Sequence, residues 1–269
     1  MSVTIDDVRS FWERSPVCAS DIPHPLGSQG YFDYFDRLRA DLEPPRLWER
    51  IHEPRNFAGK DVLDVGCGNG FVLSRYAVAG ARVTGVDLTQ AGVSLSQARF
   101  ALAKLRGTFR TANAESLPFP GASFDLVTSM GVLHHTPHPE LGFSEIHRVL
   151  RPGGRLIIMV YHRDSALHRF KMPALARRMG RSLEDVVNSV DGLENPLGRV
   201  YSRAELAQLL AAFTNLNLFA GALLPEDMLP VSLIKYGAMA RVRPALKLAL
   251  RPFASRWGWF LYAKATKPE

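Results

Sequence analysis

The stretch DVLDVGCGNG, residues 61–70, decides the fold of this chain. Three of its first five residues are apolar, and the five together predict a short buried strand. A glycine-rich turn follows at 66–70, and glycine tolerates positive φ angles and lets the backbone approach a ligand closely. A helical pattern then runs over 71–79 and ends at Gly80. A strand, a glycine turn and a helix in this order predict a ligand-binding unit at the carboxyl end of a strand.

The same alternation continues toward the C-terminus. Further strands are predicted at 82–86, 107–111, 124–129 and 155–160, with helices at 91–105 and 138–149. The sequence RPGG at 151–154 predicts a turn before the last of these strands. Strands that alternate with helices of this length predict an α/β fold, with a parallel sheet covered on both faces.

Segments on either side of this core depart from the alternation. Residues 1–57 are rich in aromatic residues and broken by prolines, so we expect a helical cap on a main domain that spans 58–269. Residues 164–199 form a long connection with helical stretches at 165–179 and 183–190, which is typical of a lid. Ser202 and Glu205 form a capping box that starts another helix. Two more strands are predicted at 216–223 and 257–265, with an interrupted helix at 234–254 between them.

Composition narrows the class of protein. The chain has 269 residues, of which 46% are hydrophobic and 22% charged, and this excludes a disordered or collagen-like chain. Cys18 and Cys67 are the two cysteines, so no disulfide framework is expected and a reducing compartment fits. The N-terminus lacks the apolar run of a secretory signal, and no apolar run approaches the ~20 residues of a membrane helix. We therefore expect a cytoplasmic protein.

The net charge of +7 is concentrated in one segment. Residues 234–269 contain eight basic residues and one acidic residue, Glu269, which accounts for the whole excess. A basic chain often binds nucleic acid, but a charge confined to one segment is weaker evidence for that partner. Apolar residues recur there at near-helical spacing: Met239, Val242, Leu246, Leu250 and Phe253. The segment either lies on a membrane surface or packs on the sheet with its basic side chains extended to solvent, and we favour packing.

Two acidic residues predict the kind of ligand. Asp87 ends the second strand, where a carboxylate can accept hydrogen bonds from both hydroxyls of a ribose, although it could instead cap the next helix. Asp64 lies within the first strand, where its charge suits a cationic ligand group and opposes a pyrophosphate. Phe71 also replaces the last glycine of the dinucleotide-binding pattern. These residues predict a nucleoside site at the carboxyl edge of the sheet.

Six segments in this order resemble the class I S-adenosylmethionine-dependent methyltransferases, in the small-molecule subgroup that includes the ubiquinone and menaquinone C-methyltransferases. The segments fall within 60–161 and are residues 62–70, 83–88, 113–119, 124–127, 132–135 and 150–154. The resemblance implies a Rossmann-like, doubly wound sheet of seven strands, mostly parallel with the last strand antiparallel. It also implies S-adenosylmethionine as cofactor and S-adenosylhomocysteine as product.

The resemblance further implies roles for individual residues. The glycine turn would pass under the methionine part of the cofactor, Asp64 would lie near its ammonium group, and Asp87 would hold its ribose. Asn113 stands where many relatives have Asp, and we expect its amide to serve as the acceptor. Cys67 is expected to be a small buried residue and not a nucleophile. The implied cofactor-binding residues are Asp64, Gly66, Cys67, Gly68, Asn69, Gly70, Asp87, Leu88, Asn113, Ala114, Glu115, Met130 and Gly131.

Methyl transfer to an acceptor requires alignment and a shaped, dry pocket, while a general base is optional. Candidate bases follow the fourth and fifth strands, and each could equally serve packing or hydrogen bonding. They are His134, His135, Tyr161 and His162. Candidate acceptor-binding residues are Tyr31, Tyr34, Arg163 and Tyr201. No cysteine or carboxylate cluster accompanies the histidines in the sequence, so no metal site is predicted.

Three functions remain open at this point. The first is a methyltransferase acting on a small molecule, in secondary-metabolite or lipid and quinone biosynthesis, with the histidines favouring O- or C-methylation. The second is a methyltransferase acting on RNA or protein. Two observations argue against it: the sequence shows no RNA-binding module, and SMGV stands at 129–132 in place of an amino-methylating (N/D)PPY motif. The third is a cofactor-binding scaffold or sensor without turnover. We expect a small-molecule partner and no nucleic acid. Peripheral membrane contact through the basic segment is an open alternative, and a monomer and a homodimer are both open.

Overall fold

An eight-stranded sheet organises the computed structural model, which describes residues 3–17, 22–228 and 240–269. The strand order is β3-β2-β1-β4-β5-β8-β7, with the two-residue β6 beside β5. β8 runs antiparallel to β5 and β7, while the pairs among β1–β6 are parallel. The strands are β1 (Asp61–Val65), β2 (Arg82–Asp87), β3 (Thr108–Thr111), β4 (Phe124–Met130), β5 (Leu150–His162), β6 (Val200–Tyr201), β7 (Thr214–Gly221) and β8 (Phe260–Thr266). The predicted mostly parallel sheet with an antiparallel last strand is confirmed, and β6 is the strand that the sequence did not indicate.

Helices cover both faces of this sheet. The described helices are α1 (Ile5–Arg14), α2 (Gln29–Leu42), α3 (Pro45–His52), α4 (Phe71–Val78), α5 (Gln90–Leu102), α6 (Pro139–Val149), α7 (Met172–Met179), α8 (Leu183–Asn188), α9 (Arg203–Leu209), α10 (Arg243–Leu250) and α11 (Ala254–Trp257). The alternation of side chains along a strand separates two hydrophobic cores. In β1, Val62 packs with α2–α5 on one face, while Leu63 packs with α6 and α9 on the other.

The N-terminal helices share the first of these cores with the sheet. Phe35 and Trp48 of the cap pack edge-on against Phe71 at the start of α4, with ring centroids 5.6 and 5.3 Å apart. The largely buried Arg99 of α5 pairs with Asp36 of α2 at 2.9 Å. The cap is therefore held against the elements that form the predicted ligand site.

The fifth strand is longer than predicted because it absorbs the RPGG turn. Phe124 pairs with Leu150 and Leu126 pairs with Arg155, so residues 151–154 bulge out of the ladder. Gly153 has a φ of +71°, as a turn requires, and its N–H donates to the carbonyl of Lys267. The chain after β8 thus pairs with the bulge, a long-range contact that a local turn pattern does not reveal.

The lid contains helices, as predicted, but in shorter pieces. Residues Leu167–Lys171 form a π-helical turn before α7, and a 3-10 turn at Ser189–Asp191 follows α8. α9 begins after Ser202, whose side chain accepts from the backbone of Glu205, so the predicted capping box is confirmed.

The basic C-terminal segment packs differently from the favoured expectation. Residues 229–239, including Met239 of the predicted stripe, lie outside the described residues. α10 contains no buried residue, and it contacts the cap through ion pairs of Arg243 and Lys247 with Asp41 at 2.7 and 2.5 Å. Val242 and Phe253 are exposed, while Leu246 and Leu250 are half-buried. No helix in the described ranges combines the length and hydropathy that crossing a bilayer requires.

Candidate functional site

A cavity of about 190 Å³ opens at the carboxyl ends of β1, β2 and β4; we call it the sheet-edge cavity. Its wall combines the glycine turn, the ends of these strands and residues of the N-terminal cap. The lining residues are Ile5, Val8, Trp12, Pro16, Val17, Phe35, Arg39, Asp64, Val65, Gly66, Cys67, Gly68, Asn69, Phe71, Val72, Asp87, Leu88, Thr89, Gly92, Leu95, Ala112, Asn113, Ala114, Met130, Gly131, Val132, His135 and Thr136. Parallel strands place their carboxyl ends at one sheet edge, which is where α/β folds bind ligands.

The glycine turn has the strained backbone that its sequence predicts. Gly66, Gly68 and Gly70 have φ angles of +80°, +49° and +73°. A Cβ on Gly66 would lie 2.1 Å from a methyl carbon of Val132, so this position has no room for a side chain. The N–H groups of Gly66 and Cys67 donate to the carbonyl of Val86 at 2.8 and 2.9 Å, which ties the turn to β2.

Asp87 joins the turn to the start of α5. Its carboxylate accepts hydrogen bonds from the Gly68 N–H at 2.9 Å, the Thr89 N–H at 2.9 Å and the Thr89 hydroxyl at 2.7 Å. Burial raises the pKa of this carboxyl above its ordinary value, while these hydrogen bonds act in the opposite direction. The N-cap of α5 is Thr89, whose side chain accepts from Gly92, so Asp87 is not the cap that the alternative interpretation required.

Asp64 is a buried acid in the middle of the sheet. Its Oδ1 accepts a hydrogen bond from the Thr128 hydroxyl of the adjacent strand at 2.6 Å. Burial raises the pKa of Asp64 to about 7; the Thr128 hydrogen bond lowers it and the nearby Asp87 charge raises it. A cationic group in the cavity would stabilise the ionised form of Asp64, because a nearby opposite charge compensates for lost hydration.

Eleven of the thirteen predicted cofactor residues line this cavity. The two exceptions are Gly70, where an added Cβ would lie 3.2 Å from Ser96, and Glu115, which accepts from the His138 N–H at 2.7 Å. The side-chain oxygen of Asn113 accepts from the Glu115 N–H at 2.9 Å, so part of its expected acceptor capacity is already used. Burial raises the pKa of Cys67 well above its ordinary value, which disfavours the thiolate that a nucleophile needs.

The cap contributes a wall of the cavity, through residues of α1 that the sequence did not single out. Ile5, Val8 and Trp12 of α1 face the cavity at helical spacing. The Glu13 carboxylate accepts from the N–H groups of Gln90 and Ala91 at 2.9 and 3.0 Å, and so fixes α1 across the N-terminus of α5. The apolar periodicity of residues 5–12 was a signal for this face, but it does not say which surface the face covers.

Of the four candidate bases, His135 is the one that lines the cavity. Its Nδ1 faces the carbonyl of Leu197 at 2.5 Å, and its Nε2 lies 3.4 Å from the carboxylate of Asp191 in the lid. Tyr161 does not line the cavity; its hydroxyl donates to the same Asp191 carboxylate at 2.7 Å. His135 and Tyr161 are therefore linked through an acid that the sequence did not connect to them.

The other two candidate histidines are buried away from the cavity lining. His134 lies behind His135, with ring centroids 4.1 Å apart, and burial lowers its pKa well below the ordinary value. His162 has its Nδ1 3.0 Å from the carbonyl of Gly258, and burial lowers its pKa. Three potential metal-ligand atoms lie within 4.8 Å of one another: a ring nitrogen of His134, one of His135 and a carboxylate oxygen of Asp191. The sequence showed no carboxylate near the histidines, and the fold supplies one.

The four candidate acceptor-binding residues lie elsewhere. Tyr31 is fully buried and donates to the carbonyl of Val17 at 3.1 Å, while Tyr34 packs beside His24 with ring centroids 6.0 Å apart. Arg163 and Tyr201 line a second cavity of about 1030 Å³ between α6, the lid and α9. Although this cavity is larger, none of the glycine-turn residues lines it, so we assign the ligand site to the sheet-edge cavity.

Comparison with known proteins agrees with this geometry. Residues 63–158 match the family described as the methyltransferase domain. The ubiquinone biosynthesis O-methyltransferase of Pseudomonas syringae pv. tomato is 35% identical over 133 residues, which are 48% of this chain and 56% of that protein. The corresponding enzyme of Chromobacterium violaceum is 30% identical over 187 residues, 60% of this chain and 80% of that protein. The chain thus spans little more than half of the first of these relatives.

A solved structure extends the likeness over the whole chain. Phosphoethanolamine N-methyltransferase 2 of Haemonchus contortus, in complex with phosphomonomethylethanolamine and S-adenosylhomocysteine, matches with a TM-score of 0.62 at 18% identity. The match covers 99% of this chain and 61% of that one, and at this identity it shows the fold. From the family match, the relatives and the sheet-edge cavity together, we conclude that the chain belongs to the class I S-adenosylmethionine-dependent methyltransferases, with S-adenosylmethionine as its cofactor.

Proposed function

We propose that this chain transfers the methyl group of S-adenosylmethionine to a small-molecule acceptor, at oxygen or carbon. The observation that carries this proposal is the cover over the sheet-edge cavity. Three apolar side chains of α1 face the cavity, and Glu13 holds this helix to α5. An acceptor must reach a cofactor under this cover, which suits a small molecule better than a folded RNA or protein surface.

The residues in the cavity fit the cofactor. Asp64 presents a buried carboxyl group with a raised pKa, and a bound ammonium group would lower that pKa. Asp87 presents a carboxylate at the cavity wall for ribose hydroxyls, and Gly66 lets the turn lie directly against Val132, where no side chain would fit. When bound, the sulfonium cofactor supplies an activated methyl group. The protein then has to hold the acceptor in line with it.

The protein contributes by aligning the acceptor with the cofactor and by excluding water from the cavity. Holding two reactants in the correct geometry can supply roughly 7–11 kcal/mol. Trp12 covers the cavity from the cap, and His135 closes it from the loop after β4; their rings lie 5.1 Å apart. His135 is the candidate base that lines the cavity, so its ring borders the space that an acceptor would occupy.

The relatives support the acceptor class without identifying the acceptor. Two of them are ubiquinone biosynthesis O-methyltransferases, whose name indicates methylation of an oxygen atom in a small molecule. We therefore place O-methylation first and C-methylation second. Methylation of a macromolecule and binding without turnover remain as outcomes of the experiment below.

The experiment is label transfer from S-[methyl-³H]adenosylmethionine into an extract of the source organism, separated beforehand into polar metabolites, lipids, RNA and protein. We expect label in the polar or lipid fraction, and none with an Asp87→Ala variant. Hydriodic acid then separates the two acceptor atoms, since it releases an O-methyl group as volatile methyl iodide and leaves a C-methyl group in place. Label in RNA or protein would overturn the acceptor class, and cofactor binding without label in any fraction would favour the sensor.

We also propose that the C-terminal helices contact an anionic membrane surface, from which a lipid-like acceptor would be drawn. Leu248 and Phe253 are 60% and 55% exposed. Residues 240–257 contain five basic residues and no acidic residue. Arg243 and Lys247 pair with Asp41, whereas Arg241, Arg251 and Arg256 are exposed and can complement anionic headgroups. The basic residues are Arg241, Arg243, Lys247, Arg251 and Arg256.

A further inference from the structure

The buried residues behind the sheet-edge cavity include a histidine pair and a lid carboxylate with no assigned role. His134 and His135 lie in the 3-10 turn that follows β4, and Asp191 ends the lid helices. One potential ligand atom from each lies within 4.8 Å of the other two. From this cluster we infer that His134, His135 and Asp191 bind a divalent transition-metal ion such as Zn²⁺, Co²⁺ or Fe²⁺.

His135 is oriented as a metal-binding histidine usually is. Its Nδ1 lies 2.5 Å from the carbonyl oxygen of Leu197, so Nδ1 must carry the proton and donate it. The other ring nitrogen, Nε2, faces the Asp191 carboxylate at 3.4 Å. A cation bound between this nitrogen and the carboxylate would be attracted to both. A backbone carbonyl that fixes the far ring nitrogen is the common outer support of a histidine ligand.

Asp191 is supported in the same way. Both of its carboxylate oxygens lie 2.7 Å from the hydroxyl of Tyr161, which donates to the carboxylate. Ligating carboxylates are commonly hydrogen-bonded by such outer partners. The distance of 3.4 Å between the His135 and Asp191 ligand atoms is close to the separation of about 3.4 Å that a tetrahedral ion with bonds of about 2.1 Å requires.

His134 supplies an independent observation. The residue is fully buried, and neither ring nitrogen has a hydrogen-bond partner within the described ranges. Buried polar groups are nearly always paired, so an imidazole with two unpaired nitrogens calls for a ligand. A modest movement of His134 toward the other two ligand atoms completes the three-ligand set.

The donor set selects the type of ion. Two imidazoles and one carboxylate suit Zn²⁺, Co²⁺ and Fe²⁺, whereas Mg²⁺ and Ca²⁺ prefer oxygen ligands. Three protein ligands leave a coordination position open. Because His135 lines the sheet-edge cavity and Asp191 belongs to the lid, the ion would fasten the lid to the cavity wall.

The test uses the full-length chain after chelator treatment, titrated with Co²⁺ and monitored by the visible ligand-field absorption of the bound ion. Zn²⁺ is measured in parallel by elemental analysis after gel filtration. We expect one equivalent of either ion in the wild type and at least ten-fold weaker binding in Asp191→Asn, which keeps the size and the Tyr161 contact. His134→Gln should weaken binding similarly. His138→Asn is the matched control, because it removes an exposed histidine that lies 3.3 Å from a carboxylate of Glu140.

Each outcome decides the inference. Wild-type protein that binds neither ion stoichiometrically would overturn it, as would Asp191→Asn binding as tightly as His138→Asn. Thermal unfolding of every variant in the presence of chelator shows whether it remains folded, and if His134→Gln does not fold, Asp191→Asn carries the test. Binding of S-adenosylhomocysteine is measured separately, so a failed metal site does not affect the proposed methyltransferase function.

Discussion

Replacement of Asp64 by asparagine should make the ligand-free protein less sensitive to pH. The carboxyl has a pKa of about 7 in the folded chain and 3.8 as its ordinary value. The folded protein therefore retains this proton up to about pH 7, whereas the unfolded chain releases it near pH 4. Stability is highest below the unfolded pKa and is lost as the pH rises toward 7. Asparagine does not titrate, so the variant should not show this loss.

The size of the effect follows from the two pKa values. One pKa unit corresponds to about 1.4 kcal/mol, so the full loss is at most about 4 kcal/mol. Over the experimentally convenient range from pH 5 to pH 8, linkage gives a loss of roughly 2–3 kcal/mol in the free energy of unfolding. Thr128 donates to Oδ1 of Asp64, and the amide oxygen of asparagine can accept the same hydrogen bond. The variant should therefore fold and be more stable than the wild type at pH 8.

The assay is urea unfolding of both proteins at pH 5 and pH 8 without ligand, since other groups titrate equally in both. Asp61→Asn is the control at the start of the same strand. Arg82 and Arg151 hold the pKa of Asp61 below its ordinary value, so its contribution is complete by pH 5 and its removal should cost the same at both pH values. Equal pH dependence of wild type and Asp64→Asn would refute a raised pKa at Asp64.

The same residue should control cofactor affinity. If the ammonium group binds next to ionised Asp64, protonation of a group with a pKa of about 7 weakens binding about ten-fold between pH 8 and pH 6. Asp64→Asn should bind S-adenosylhomocysteine more weakly at pH 8 and with a flatter pH profile. Calorimetric titration at both pH values measures this, and an unchanged affinity in the variant would separate Asp64 from the ammonium group.

Three further predictions concern the turn, the ribose acid and the C-terminal surface. S-adenosylhomocysteine at ~100 times its Kd should stabilise the wild type by about 2.7 kcal/mol in thermal unfolding, and Asp87→Ala should lose most of this gain. Gly66→Ala should destabilise the protein by about 2–5 kcal/mol and abolish that gain, because the added Cβ would overlap Val132 at a φ that already strains alanine. Gly59 also has a positive φ of +70° but open space around it, so Gly59→Ala should cost only about 1 kcal/mol. Equal losses in the two variants would contradict the packing argument. The chain should cosediment with anionic vesicles at low salt, and Leu248→Asp with Phe253→Asp should release it while leaving S-adenosylhomocysteine binding intact; wild type that stays in the supernatant would refute membrane contact.

The local parts of the site were predictable from the sequence. The turn at 66–70 needs positive φ angles, and glycine at alternate positions is the direct signature of that need. Asp87 ends β2, and the carboxyl ends of parallel strands meet at one edge, so its place in the cavity follows from topology. The start of α9 at Ser202 was predictable for the same reason, because a capping box lies within four consecutive residues.

Longer-range features were less accessible. The RPGG sequence is a turn by local pattern, yet it lies within β5 because Lys267 hydrogen-bonds to Gly153 and Gly154. Arg163 and Tyr201 follow strands at the expected sheet edge but line the second cavity. A strand's position fixes where its last residue lies, but the surrounding helices fix which cavity its side chain enters.

The sequence by itself determined the alternation of strands and helices, the glycine turn and the pair of acids, because each depends on residues close together in the chain. Only the tertiary structure placed Trp12 over the cavity, brought Asp191 beside His135 and buried His134 with no hydrogen-bond partner among the described residues. These features depend on how a cap and a lid pack against the sheet. Such contacts join residues far apart in the chain, and periodicity and spacing carry no information about which distant surfaces will meet.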